Sequence, residues 1–181
     1  LRADRLDEEF VGLLTQGGYR SMTVAMDAPS ERLMDQIEKN LRHRHLEKTA
    51  ELAKQFRMKH LKVYTVAVLP DETDEDIEAL ISFTQRLSKT IPIVLGVSPF
   101  VPKFHTPLAH APFAGEKRAQ KVITTLRKRL GHRIQIRGPS AKEAYVEYRL
   151  AQGGFAHAQA AIVAAQSGGS LGAWKRALAP L

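Results

Sequence analysis

Short runs of apolar and β-branched residues recur along this chain, and segments with helical periodicity separate them, so the fold is confined to strands joined by helical crossovers. The runs are Ser21 to Met26, Leu61 to Leu69 and Ile91 to Val97, with a shorter Ile134-Gln135-Ile136 behind them. Between them, Leu33, Met34 and Ile37 recur at helical spacing, as do Leu46, Thr49, Ala50, Ala53 and Phe56, then Ile77, Leu80, Ile81 and Leu87, and then Val122, Ile123, Leu126 and Leu130. A strand, a helix and a second strand in one sheet form a right-handed parallel unit. The Leu61–Leu69 run alternates little, which predicts a parallel strand buried on both faces.

Local signals fix the ends of these elements. Phe10, Val11 and Leu14 lie on one side of a first helix from Asp7 to Leu14, and Gly17-Gly18 ends it. Ser30 after Pro29 is an N-cap. Asp71 to Asp76 places acid where a helix dipole favours it. Ser140 with Glu143 forms a capping box, and the Ala-rich remainder, broken at Gly153-Gly154 and Gly168-Gly169, reads as two short helices. The repeats are too few for eight strands. The expected fold is α/β: a partial, half TIM-like β/α barrel with mostly parallel strands over residues 1–116, and an α/β-to-helical extension over residues 117–181.

At 181 residues, 44% of them apolar, the chain can bury a core of its own. No apolar run approaches a membrane span of roughly 18 residues. Cysteine is absent, which removes disulfides, thiolate metal ligands and thiol nucleophiles and fits a reducing, cytoplasmic setting. The chain opens on Leu1-Arg2-Ala3-Asp4-Arg5, which is no signal peptide and reads as a cut through a longer protein. A formal charge of +8 would attract a polyanion such as RNA. The cations fall into two regions, one from Arg42 to Lys62 and one from Lys117 to Arg129, and the simpler reading of both is solvated helix faces.

Three strand ends carry motifs. The first is Ala25-Met26-Asp27-Ala28-Pro29-Ser30-Glu31-Arg32-Leu33, the second Leu69-Pro70-Asp71-Glu72-Thr73, and the third Ser98-Pro99-Phe100-Val101-Pro102-Lys103-Phe104-His105-Thr106-Pro107. In order and spacing they resemble the radical SAM enzymes, in the cobalamin-binding-type and methylthiotransferase-like branch. That branch ends its fourth strand in a stretch like Ala-Pro-Glu-Ala-Gly-Ser-Glu-Arg-Leu, its fifth in Gly-Leu-Pro-Gly-Glu-Thr, and its sixth in Ser-Pro-Phe-Val-Pro-Lys-Pro-His-Thr-Pro. Only Phe104 breaks the third match. Val68, Asp71 and Pro29 stand where the family has glycine, and Asp27 where it has glutamate. The similarity runs from Leu1 to about Gly154.

The resemblance implies the C-terminal half of a radical SAM barrel, inactive alone, whose parent is an Fe–S oxidoreductase-like enzyme. S-adenosylmethionine would lie across the strand ends: Asp27 and Ser30 near its ribose or methionine, Lys39 near its carboxylate, and Val66, Val68 and Leu69 along the adenine. Ser98, Phe100, Lys103, His105 and Thr106 would line the substrate side. The [4Fe-4S] cluster of the intact parent would need a Cys-x3-Cys-x2-Cys loop that this chain lacks. The missing N-terminal half of the enzyme is then a partner, and the first strand, lacking its upstream neighbour, would self-associate through its edge or be covered locally.

Other residues add no competing site. His43 and His45, two apart on a helix, face different ways, and His105 and His110 share a loop with no carboxylate beside them. Tyr145 and Tyr148 fit packing better than a stacking platform. A second reading, from a different class, is a basic module that holds RNA or a protein on a degenerate half-barrel.

Overall fold

The computed structural model describes residues 1–181, every residue of the chain. After a single 3-10 turn at Ala3–Arg5 come α1 (Glu8–Gln16), β1 (Ser21–Asp27), α2 (Glu31–Gln36), α3 (His43–Gln55), β2 (His60–Ala67) and α4 (Asp74–Leu87). Then follow β3 (Ile93–Pro99), α5 (Gly115–Leu130), a 3-10 turn at Gly131–Arg133, β4 (Gln135–Arg137), α6 (Ala141–Ala151), α7 (Phe155–Gln166) and α8 (Leu171–Leu178). The predicted order of elements is the observed one.

Caps hold the helix ends where the sequence placed them. Asp7 accepts the Phe10 N–H at 2.9 Å, and Ser30 Oγ accepts the Leu33 N–H at 3.3 Å. Ser140 Oγ accepts from the Glu143 N–H at 3.2 Å while Glu143 reaches back to the Ser140 N–H at 2.6 Å. At the end of α1, Gly18 takes φ +87°, a conformation only glycine adopts without strain.

The four strands pair in parallel, in the order β1-β2-β3-β4. Right-handed crossovers that always step in one direction put every connecting helix on the same side of the sheet. Burial follows suit. Met22, Val24, Met26, Leu61, Val63, Leu95 and Val97 join helix residues such as Leu46, Leu80 and Leu126 in one core.

The opposite face is open. Thr23 is exposed, Lys62 and Val66 are half-buried, and Tyr64 is 43% exposed. This corrects the expectation that the second strand is buried on both faces: one helical layer covers the sheet rather than two. Gly96 sits opposite Tyr64 on that face, and a Cβ there would lie 2.4 Å from the tyrosine ring, so glycine is what lets the ring lie across β3.

The main core crosses residue 116 and continues to Ala141, because the apolar side of α5 packs on the sheet and β4 pairs with β3. A second, small cluster of Val146, Ala160 and Leu178 holds α6, α7 and α8 together. Beside the outer edge of β1, the Leu1 nitrogen lies 2.8 Å from the Thr23 carbonyl oxygen, and Ala3 and Leu6 are buried nearby. No helix is long and apolar enough to cross a membrane.

Candidate functional site

The carboxyl ends of β1, β2 and β3 and the loop after β3 enclose a cleft of about 610 Å³. Each wall is set by a local backbone device. β1 ends at Asp27 with φ +68°. α2 closes with a Schellman-type turn, in which the Lys39 N–H donates to the Met34 carbonyl at 2.7 Å and the Glu38 N–H to Asp35 at 3.0 Å. Glu38 takes the left-handed position at φ +56°, and the turn delivers Lys39 to the cleft mouth. There its Nζ lies 3.5 Å from Asp27 Oδ2.

The second wall follows β2. Val68 is left-handed at φ +63° and Asp71 at φ +58°. Both are among the three positions where the family that the sequence resembles has glycine, a residue that takes left-handed backbone without strain. For a β-branched residue this costs about 1–2 kcal/mol, which the surroundings must supply. Glu72 supplies part of it: its Oε2 accepts the Val68 N–H at 2.6 Å and the Leu69 N–H at 3.4 Å.

The third wall is the loop from Phe100 to Ala114, pinned at both ends. The Phe100 N–H donates to the Ala67 carbonyl at 2.7 Å, and Phe113 stacks on Tyr148 at 4.5 Å. In between, Lys103 Nζ donates to Glu147 at 2.5 Å, and Gln152 Nε2 donates to the carbonyls of Pro102 at 2.9 Å and Ala109 at 3.3 Å. Tyr148 and Gln152 of the extension thus pack to hold the loop in place.

Seven of the residues anticipated from sequence line this one cleft: Asp27, Lys39, Val66, Leu69, Phe100, Lys103 and Thr106. Four stand elsewhere. Ser98 is half-buried near the end of β3, and exposed His105 sits at φ +63° outside the lining. Val68 is buried in the main core. Ser30 is buried too: its Oγ donates to Asp76 Oδ1 at 2.5 Å as well as capping α2, so it has no free group to offer a ligand. Gln36, Ile37, Glu38 and Leu108 line the cleft without having been anticipated. The left-handed Glu38 that turns this segment inward leaves no signal in residue type.

Asp76 is the buried hub behind the cleft. It accepts from Ser30 and from both the side chain and the backbone N–H of Thr73, at 3.1 and 2.9 Å, and Arg32 forms a close ion pair with it. The Arg32 guanidinium also donates to the Asp71 carbonyl at 2.9 Å, tying α2 to the left-handed turn. Burial would raise the Asp76 carboxyl, but the hydrogen bonds from Arg32, Ser30 and Thr73 outweigh it and hold it at about 2.

Glu72 goes the other way. Its side chain is 2% exposed, and burial pushes its carboxyl up to about 7, against the two backbone hydrogen bonds and Arg118. Oε1 has no hydrogen-bond partner, the Arg118 guanidinium being 4.0 Å away. A folded-state value above the unfolded one stabilises most fully below pH 4.5, and the contribution is lost as pH rises through about 7. The melting temperature should fall between pH 5 and pH 8, and Glu72→Gln should flatten that fall. An unchanged slope in the variant would reject Glu72 as its source.

Histidine is used structurally in α3. The His43 ring stacks on Phe83 at 3.8 Å, and His45 Nδ1 accepts the Arg42 N–H at 3.1 Å. No group of three His, Cys, Asp or Glu side chains is arranged to hold a metal ion.

No protein-family model matches the chain. Over 137 residues, 75% of its length, it is 36% identical to the uncharacterized protein MJ0966 of Methanocaldococcus jannaschii. The chain spans 30% of the length of that relative.

Proposed function

We propose that the chain is half of a TIM-like barrel of the radical SAM type, whose strand-end cleft forms one wall of an S-adenosylmethionine and substrate chamber. The observation that carries the reading is the gathering of Asp27, Lys39, Val66, Leu69, Phe100, Lys103 and Thr106 around one cleft at the carboxyl ends of consecutive parallel strands. Barrel enzymes bind their ligands at that end. Consecutive strand order with helices on one side is also the winding of a barrel, and the open face carrying Tyr64 would be its interior.

The residues present suit the cofactor. Half-buried Asp27 and exposed Lys39 form an ion pair at the cleft mouth, a ready match for the ammonium and carboxylate of an amino-acid moiety. Val66, Leu69 and Phe100 offer apolar walls to a ring. Bound, S-adenosylmethionine supplies an activated sulfonium centre, and the chain's part is to hold and orient it and keep water away. A four-iron cluster is different: its ligands are cysteine thiolates, and the chain has no cysteine. Its own residues do not fit a cluster, and in this reading the ligands belong to the rest of the parent enzyme. The segment supplies no catalytic group of its own.

Calorimetric titration of S-adenosylmethionine into the chain tests the reading. Lys39→Ala should weaken binding by about tenfold, the ~1.4 kcal/mol of one charge-assisted contact. Absence of any binding heat with the native chain at millimolar ligand would overturn the cofactor assignment.

A further inference from the structure

A second concavity lies at the opposite end of the strands. It is the groove of about 790 Å³ between the C-terminal half of α5 and the start of β4. Its lining includes Arg127, Lys128 and His132, with Thr124 and Gln135 between them, and no carboxylate. Arg133 is exposed beside it, in the same 3-10 turn as His132.

The charge around this groove is concentrated rather than spread. Residues 117–137 hold eight Lys and Arg and no Asp or Glu, which equals the formal net charge of +8 of the whole chain. Some of these cations are already neutralised: Arg118 and Lys121 pair with Asp74, and Arg129 pairs with Glu78. Arg127, Lys128 and Arg133 have no carboxylate within 4.0 Å and make no side-chain hydrogen bond. Unpaired cations at a helix C-terminus are favourable against the dipole. That accounts for Arg127 and Lys128 in the last turn of α5, but not for Arg133 beyond it or for an acid-free concavity that continues past the helix into β4.

We infer that this groove docks the phosphodiester backbone of an RNA strand. Free guanidinium and ammonium groups neutralise successive phosphates and release their counterions. Thr124 and Gln135 supply side chains that both donate and accept, as a ribose 2′-hydroxyl does, and this is the feature that separates RNA from DNA. No Phe, Tyr or Trp side chain lines the groove, so it offers no large aromatic platform on which successive bases would stack. Contact would be to the backbone, without sequence preference. The inference does not depend on the cleft at the other end of the sheet.

Fluorescence anisotropy with a labelled oligouridylate of about 16 nucleotides tests it. Affinity should fall steeply between about 50 and 200 mM salt. The triple variant Arg127→Gln, Lys128→Gln, Arg133→Gln should bind at least about tenfold more weakly, with a salt slope shallower by about one for each lost contact. A charge-matched control, Arg44→Gln, Lys48→Gln, Lys54→Gln on exposed positions of α3, should bind within about twofold of the native chain. Circular dichroism establishes that all three proteins are folded. Equal losses in the two triple variants, or no RNA binding at low salt, would overturn the groove. Equal affinity for the matching deoxyuridine oligomer would overturn the assignment to RNA.

Discussion

Replacing Asp76 with alanine should lower the unfolding free energy by about 3–5 kcal/mol, the range for removing one partner of a buried, hydrogen-bonded charge. The residue is 4% exposed and binds three residues at once, Ser30 and Arg32 at the start of α2 and Thr73 at its own helix cap. Its loss strands the buried Ser30 hydroxyl, dismantles the capping box of α4 and leaves Arg32 without its carboxylate. The damage reaches the cleft, because Arg32 holds the Asp71 carbonyl in the left-handed turn. Asp76→Asn should cost less, since the amide oxygen can still accept from Thr73. Urea unfolding gives both values, and a loss below about 1 kcal/mol, typical of one exposed cap, would show that the network is dispensable. The same carboxyl sets an acid limit. Its folded value of about 2 lies below the unfolded 3.8, so its contribution is present above pH 4 and drains away as pH falls through about 2.

Gly138→Ala should be comparably severe, costing about 3 kcal/mol or more. A Cβ at this position would stand 1.9 Å from the Val97 carbonyl oxygen and 2.9 Å from its carbon, and φ is +143°. The obstacle is backbone, so no side-chain rotation relieves it. Gly138 follows β4 and lets the chain pass tightly over β3 before Ser140 starts α6. That helix carries Glu147 and Tyr148 and ends at Gln152, and all three hold the cleft loop, so the variant should lose cleft binding along with stability. Gly18→Ala is the matched comparison: φ is +87° but nothing lies within 4 Å, and about 1 kcal/mol of backbone strain is all it should cost. If the two variants lose the same stability, the close approach at Val97 carries no weight.

Much of this architecture was legible in residue order. Apolar periodicity located the first five helices, and the caps read at Ser30 and Ser140 are both used. Such features depend on neighbours three or four positions away. Seven cleft residues were anticipated only through the family resemblance, and they meet because a parallel sheet brings together its strand ends and the segments that follow them. Ser30 was misjudged because a serine that caps a helix looks the same whether or not its hydroxyl is also held from 46 residues away.

Other features have no local code. Val68 and Glu38 carry no mark of left-handed backbone, because packing and hydrogen bonds imposed from outside the segment pay for it. The apolar Leu61–Leu69 run suggested burial on both faces, yet single-direction winding leaves Tyr64 and Lys62 on an open one. The basic residues near Arg127 looked like a solvated helix face until β4 closed a groove beside them. Which elements form, and in what order, is written in residue order, since these follow from short-range hydrogen bonding and hydrophobic period. Which charges are neutralised, which face stays open and where a cleft remains are settled by packing, because each depends on contacts between residues distant in the chain.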